Sequence, residues 1–346
     1  MAKTVEDPGA GGLSRRNFLA AAAAGMASGA TGAQAASQSP ATGSGSGTTS
    51  PVYRIGILGT AAIAQRALID PAKDVPEVSV DAVASRSPTD RGLEYARKFG
   101  IPRSLDYEAL VRDPAIDIVY VALPPSLHAE WSLRAIAAGK HVLCEKPMTS
   151  NAAEAAKVAQ AVRAGNRVYM EAYHYPYHPF SKRVRDLLDT RVIGAIRSAE
   201  ATFEIPARVV GEDNIRRQFS LGGGALMDAG CYALRSLCEI MGDVQKVIAA
   251  KCEVDKTDPQ VDTSMNATLA FAGGRQGKLR TSFLATDKRA MNVVVHGEKG
   301  TMTLNDPFVP QSGATVRLEW EGRSYVEKAD PTPSYVFQLR ELVRCI

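Results

Sequence analysis

Between residues 52 and 172, short apolar runs alternate with helix-patterned stretches, and few folds accept that alternation. The apolar runs fall at residues 52–60, Val78–Ala84, 117–123, His141–Cys144 and 167–172. They are nearly continuous rather than alternating, as expected of strands buried on both faces of a parallel sheet. Helical periodicity occupies 62–69, 89–99, 107–111, 128–138 and Ala152–Ala164. Strand and helix in strict turn predict a doubly wound α/β sheet. From about residue 195 the pattern changes. Strands are expected at 196–205, 247–254, 264–271, 278–284 and 291–295, with apolar residues such as Met265, Ala267, Leu269 and Phe271 on one face. That pattern suits an antiparallel sheet with one face covered.

The tips of the first set of strands carry the chemistry. The strand His141–Cys144 delivers Glu145 and Lys146 to its C-terminal end, with Pro147 behind. Proline biases the preceding residue toward extended geometry, which fixes Lys146 where open α/β sheets bind ligands. A lysine there is either a substrate-facing acid or a solvated strand end. The first strand ends at Gly59, followed by Thr60, Ala61, Ile63 and Ala64. Two of three glycines of a dinucleotide fingerprint are alanines here, yet small residues still allow close approach of a pyrophosphate to a helix N-terminus. The second strand ends in Ser85-Arg86-Ser87 rather than an acid. An arginine with hydroxyls suits a ribose 2′-phosphate, which favours NADP over NAD. At the 117–123 tip, Leu123 and Pro124 turn the chain and Ser126 is expected to cap the next helix.

In the second half, Gly222-Gly223-Gly224 precedes a helix that would place Asp228 and Tyr232 on one face, four residues apart. The glycines leave backbone open to a ligand. Asp228 as a dipole partner and Tyr232 as a core residue are the plainer alternatives. His174 and His178 follow the last strand of the first set and are candidates to line a pocket, as is Arg216 before the glycines.

The first 50 residues are different in kind. Ser14-Arg15-Arg16-Asn17-Phe18-Leu19 precedes an Ala/Gly-rich run that ends in Ala33-Gln34-Ala35. This is the order of a cleaved twin-arginine export signal over residues 1–35, followed by a Ser/Gly/Thr/Pro-rich linker over 36–51. A periplasmic or extracellular location follows. The net charge of +4 is spread out, and no basic run carries interleaved aromatics, which argues against nucleic acid. No stretch after residue 50 is long and apolar enough to anchor in a membrane. Five cysteines with no zinc spacing predict no metal site, and all five are expected as small buried residues.

Together, the 56–61 turn, Leu123-Pro124-Pro125-Ser126-Leu127-His128, the 138–147 run and Gly222 to Tyr232 resemble the Gfo/Idh/MocA oxidoreductase family. The resemblance covers residues 52 to about 344. The tyrosine at 232 is similar to the glucose–fructose oxidoreductase, dihydrodiol dehydrogenase and xylose dehydrogenase branch. It implies a Rossmann domain over 52–172 and a C-terminal domain over 173–334 with a large, mostly antiparallel sheet. A helix from 335 to 346 would be the start of a truncated C-terminal element. The resemblance further implies that Lys146 lies near the nicotinamide ribose and the reacting hydroxyl, that Asp228 binds or polarises substrate, and that Tyr232 exchanges the hydroxyl proton. An adjacent ammonium would pull the phenol toward neutrality. Cofactor contacts would come from Gly59, Thr60, Ala61, Ile63, Ser85, Arg86, Ser87, Leu123, Pro124, His128, Glu145 and Lys146. His174, His178 and Arg216 would face substrate. The implied activity is NADP-dependent hydride transfer at a secondary hydroxyl of a sugar, cyclitol or diol, by a homo-oligomer. An NAD-dependent glycosidase and a non-catalytic dinucleotide sensor are the alternatives.

Overall fold

The computed structural model describes residues 52–211, 214–286 and 288–346. The signal and linker expectations fall on residues 1–51, outside the described residues.

Six parallel strands form the first sheet. They are β1 (Tyr53–Leu58), β2 (Val78–Ala84), β3 (Arg103–Leu105), β4 (Ile118–Val121), β5 (His141–Cys144) and β6 (Tyr169–Glu171). Their order is β3-β2-β1-β4-β5-β6, so the direction of winding reverses between β1 and β4. The apolar runs are buried on both faces as expected: Ile55, Ile57, Val119, Val121, Val142 and Cys144 are all inaccessible. The helices between the strands are α1 (62–72), α2 (88–99), α3 (Tyr107–Arg112), α4 (His128–Ala137) and α5 (Ala152–Ala164). Asp106 caps α3 and Asn151 caps α5 through their side chains. Ser126 does not cap α4, because it lies inside a short 3-10 turn, Pro125–Leu127, that leads into the helix.

The second sheet has eight strands: β7 (Ile196–Pro206), β8 (Lys246–Val254), β9 (Asp262–Ala270), β10 (Gln276–Ala285), β11 (Ala290–Gly297), β12 (Gly300–Asn305), β13 (Thr315–Trp320) and β14 (Arg323–Lys328). The order is β14-β13-β12-β11-β7-β10-β9-β8. Every neighbouring pair is antiparallel except β7 and β10, which run parallel at the centre. Helices α6 (Pro179–Asp189) and α7 (226–241) cover one face, burying Phe180, Val184, Leu187, Ala233 and Leu237 against Ala199, Leu279, Val293 and Val295. The last helix, α8 (Ser334–Cys345), leaves this domain. Its Tyr335, Val336, Leu339 and Leu342 are buried with Ile57, Leu68 and Tyr120 in the first core.

The cysteine expectation needs correction. Cys144 is buried, Cys231 and Cys238 are half-buried, but Cys252 and Cys345 are exposed. Cys252 sits on β8, an edge strand whose residues are all exposed, so a small apolar residue there has nothing to pack beneath. Among the described residues no helix is long and apolar enough to cross a membrane, and no cluster of side chains could hold a metal ion.

Candidate active site

The winding reversal between β1 and β4 opens a crevice at the strand tips, the usual ligand position in such sheets. Gly59 makes the first turn. Its φ is +97°, and a Cβ there would lie 2.6 Å from the Ala122 carbonyl oxygen and 3.0 Å from Leu123. Its N–H donates to the Ala84 carbonyl at 2.9 Å, which ties the β1 tip to that of β2. Helix α1 then begins after Ala61 with no side-chain cap, so its first amides are open to an anion. These features fit a dinucleotide: a tight glycine turn, an uncapped helix start, and an acid-free β2 tip. Arg86 and Ser87 at that tip are exposed, while Ser85 is buried and its hydroxyl accepts from the Ser87 amide at 3.2 Å.

A cleft of about 1560 Å³ runs from this turn to the second sheet. Thr60, Ala61, Ile63, Leu123, Pro124, His128, Glu145, Lys146, His174, Arg216, Asp228 and Tyr232 all line it. Twelve candidates from distant parts of the sequence therefore share one wall-to-wall space. Gly59 and the Ser85–Ser87 tip lie beside it rather than on its lining. His178 is elsewhere, and its assignment to substrate is corrected. It is fully buried, its Nδ1 accepts from the Phe180 amide at 3.0 Å, and it serves as the N-cap of α6.

The centre of the cleft is an ion triad. Lys146 Nζ donates to Asp228 Oδ1 at 2.9 Å and to the Asp228 carbonyl oxygen at 2.6 Å. Arg216 Nε donates to the other carboxylate oxygen at 2.6 Å. The Lys146 and Asp228 side chains are only 14% and 18% exposed, so this charge pairing works in a poorly screened setting. Burial pushes the Asp228 carboxyl up, but the Lys146 ammonium and the Arg216 guanidinium overcome it and hold the group down at about 2. Burial likewise opposes the Lys146 charge, yet Asp228 outweighs it and the ammonium is held above its ordinary value. Two of the three N–H bonds of Lys146 are used within the triad, which leaves one for a ligand.

The glycines place Arg216. A Cβ on Gly223 would meet the Arg216 carbonyl oxygen at 2.6 Å, and the Gly224 amide donates to that oxygen at 2.9 Å. Gly224 itself has φ +129° and sits against Asp262. The triple glycine thus lets two protein segments close on each other and delivers a guanidinium to Asp228. Asp228 stands in a widened π-type turn, Leu226–Gly230, at the start of α7.

Tyr232 is ringed by Tyr173, Phe203 and Phe308, with centroids 5.0, 5.5 and 5.6 Å away. Lys146 Nζ lies over its ring face, 5.2 Å from the centroid. Burial raises the phenol well above its ordinary range, aided by the nearby Tyr335 and Glu145. The expectation that the ammonium draws it toward neutrality is therefore reversed, because desolvation prevails.

In the cleft wall, His128 clamps two strand tips. It is 1% exposed, with Nδ1 2.7 Å from the Pro147 carbonyl oxygen and Nε2 2.8 Å from that of Leu123. Glu145 turns inward and accepts from the Tyr120 hydroxyl at 2.6 Å. Burial raises its carboxyl. His174 Nδ1 lies 2.7 Å from Ser334 Oγ, at the start of α8.

Sequence reasoning missed Arg66, Arg91, Phe203, Phe308 and Tyr335, all of which line the cleft. Arg91 was within reach, as a second arginine one turn beyond the acid-free β2 tip. The aromatic residues carry no local signal, since Phe203 on β7, Phe308 in a loop and Tyr335 at the start of α8 belong to no motif.

This combination of a nucleotide-type crevice with a buried lysine, carboxylate and tyrosine defines an NAD(P)-dependent oxidoreductase. The sequence matches the oxidoreductase family with NAD-binding Rossmann fold (Gfo/Idh/MocA) over residues 53–173 and the C-terminal domain of the same family over 181–303. The chain belongs to the Gfo/Idh/MocA family. It is 34% identical over 296 residues to D-xylose 1-dehydrogenase (NADP(+)) 2 of Haloferax volcanii, covering 84% of this chain and 88% of the relative. It is 36% identical over 275 residues to dTDP-3,4-didehydro-2,6-dideoxy-alpha-D-glucose 3-reductase of Actinomadura kijaniata, covering 80% and 81%. Its fold is similar to that of a 3-ketoreductase from Actinomadura kijaniata in complex with NADP and TDP-benzene. The TM-score is 0.77 at 31% identity, covering 85% of this chain and 90% of that one.

Proposed function

We propose that the protein is an NADP-dependent oxidoreductase that interconverts a secondary hydroxyl and a ketone on a sugar, cyclitol or diol. The observation that carries this reading is the Lys146–Asp228 pair beside Tyr232, in one cleft with the dinucleotide turn. The NADP-linked relatives and the arginine-ended β2 tip support the cofactor choice. The nicotinamide, when bound, supplies or accepts the hydride.

The protein's own groups handle the oxygen. The free N–H of Lys146 donates to the substrate oxygen and stabilises negative charge that develops there. Asp228, ionised across the working pH range, fixes the direction of that donor. Tyr232 is a neutral phenol at neutral pH, poised to give its proton to an alkoxide. That state suits ketone reduction, whereas oxidation needs the phenolate, which burial disfavours, to take the hydroxyl proton and return to the phenol. His128 and Pro147 hold the Lys146 loop in place.

The test is turnover of NADPH and NADP by purified protein with sugars, cyclitols, diols and their keto forms. The reading fails if no member changes the nicotinamide absorbance, or if Lys146→Ala and Tyr232→Phe both keep full turnover. The twin-arginine sequence over residues 1–35 supports the further proposal that the enzyme acts after export. Fractionation of cells that express the full chain tests that point.

A further inference from the structure

We propose that His174 Nε2 accepts a hydrogen bond from a second substrate hydroxyl, on a carbon next to the reacting one. The inference rests on the reaction proposed above and adds the residue that tells a vicinal diol from a lone alcohol. His174 stands three residues beyond β6 and lines the cleft, although it is only 2% exposed. One of its nitrogens is committed. Nδ1 lies 2.7 Å from Ser334 Oγ, and the Ser334 hydroxyl donates onward to Gln311 Oε1 at 2.9 Å. A hydroxyl has a single proton, so Ser334 is left to accept from the imidazole. The ring proton therefore resides on Nδ1, and Nε2 carries a lone pair. Among the described residues, none donates a hydrogen bond to Nε2. A ring flip would break the Ser334 bond, and Tyr335 packs against the imidazole with centroids 3.9 Å apart. Burial lowers the pKa of the ring to about 3, so the lone pair survives across the physiological range.

A buried acceptor with no donor costs free energy, and such atoms are rare in native proteins. His178 Nε2 is sealed inside the protein without a partner. His174 differs because it borders the cleft, where a ligand can supply the donor. The neighbouring acceptors are engaged. Both Asp228 carboxylate oxygens accept, one from Lys146 and one from Arg216, and Glu145 accepts from Tyr120. Nε2 is thus the open acceptor among the groups around Tyr232. The imidazole meets the Tyr232 ring edge to face, with centroids 6.3 Å apart. That closeness places the oxygen that exchanges a proton with Tyr232 and the group that reaches Nε2 on neighbouring carbons. The second group must carry a proton. A hydroxyl donates, whereas a fluorine of similar size does not. A site built to bond a hydroxyl rejects the analogue without it, because its own polar atom is then left unpaired.

The experiment offers two sets of probes to NADP-saturated protein. One is D-glucose, 2-deoxy-D-glucose and 2-deoxy-2-fluoro-D-glucose, since the C2 hydroxyl adjoins both C1 and C3. The other is trans-cyclohexane-1,2-diol, cyclohexanol and trans-2-fluorocyclohexanol. Calorimetry reads affinity, and nicotinamide absorbance reads kcat/KM. In at least one set the hydroxyl member is expected to exceed both analogues by roughly tenfold or more. His174→Gln keeps an acceptor near Nε2 and is expected to retain most of that gap. His174→Asn keeps its polar atoms near Nδ1 and is expected to lose the gap. The proposal is overturned if neither set shows a gap, if the fluoro member matches the hydroxyl member, or if the gap survives in His174→Asn. The same variants are titrated with NADP and with its 3-acetylpyridine analogue, which lacks the carboxamide N–H. A His174→Asn protein that keeps the hydroxyl gap but loses its preference for NADP assigns Nε2 to the cofactor and overturns the proposal. A hydroxyl-dependent gap in affinity without hydride transfer refutes the reaction and not the hydroxyl contact.

Discussion

Acidification from pH 7 to pH 5 should cost this protein about 2 kcal/mol through His174 alone. The Ser334 hydroxyl donates to Gln311 Oε1 at 2.9 Å, so its oxygen is left to accept from His174 Nδ1–H at 2.7 Å. The imidazole is thus held neutral, tilted against Tyr335 with centroids 3.9 Å apart and only 2% exposed. Burial lowers its pKa to about 3, and the neighbouring Arg66, Lys146 and His178 push the same way. A histidine whose pKa falls on folding contributes its full stability above the unfolded value and loses it as the pH drops toward the folded value. With an unfolded pKa near 6.5, the unfolded chain takes up the proton at pH 5 and the native state does not. That difference is worth about 2 kcal/mol. Urea unfolding of wild type and His174→Asn at a series of pH values reads it directly. Asn keeps a polar group near Nδ1 but cannot titrate. The cavity it leaves lowers stability equally at every pH, so the informative quantity is the slope. His128, His141 and His178 also have lowered values and remain in both proteins. Equal slopes for the two proteins between pH 7 and pH 5 would refute a neutral buried His174.

Three further outcomes are expected. Gly59→Ala combines a φ of +97° with a Cβ 2.6 Å from a backbone oxygen that has nowhere to go, so it should destabilise by about 2–3 kcal/mol and abolish NADP binding, both measurable by thermal shift. Lys146→Ala should lower kcat by about 10²–10⁴ while the affinity for NADP changes little, as measured by steady-state kinetics and fluorescence titration. Arg86→Gln with Arg91→Gln should weaken NADP and leave NAD unaffected, with each lost phosphate contact costing about 1.5–3 kcal/mol, checked by comparing kcat/KM for the two cofactors.

Five of the six strands of the first domain were legible because parallel strands in a covered sheet tend to write themselves as continuous apolar runs, while the edge strand β3, Arg103-Ser104-Leu105, is short and half-buried and was not placed. The ends of Ala152–Ala164 were read to the residue, since Asn151 caps one end and Gly165 stops the other. The second sheet was half legible. Alternation located β7 to β11, yet β12, β13 and β14 were not placed. The parallel pairing of β7 with β10 has no local signature, because pairing is decided by neighbours far apart in sequence. Lys146, Asp228 and Tyr232 were found because strand tips and a glycine-led helix mark them. Their relation was not. Nothing in the sequence shows that Arg216 occupies the second Asp228 oxygen, or that the rings of Tyr173, Phe203 and Phe308 help desolvate Tyr232 enough to raise its phenol. His178 misled for a plain reason: a histidine before a Pro-Phe helix start can cap as well as bind.

The return of α8 to the first core has a mechanical meaning. The chain crosses between the domains near His174 and again near Ser334, and these two crossings are joined by a hydrogen bond. Two adjacent tethers permit rotation about the line between them and resist twisting or sliding. That axis passes beside Tyr232, whose centroid is 6.3 Å from the His174 ring. A rotation about it would displace each part of the cleft in proportion to its distance from that axis. Lys146, Asp228 and Tyr232 sit close to that pivot, where such a rotation displaces atoms least.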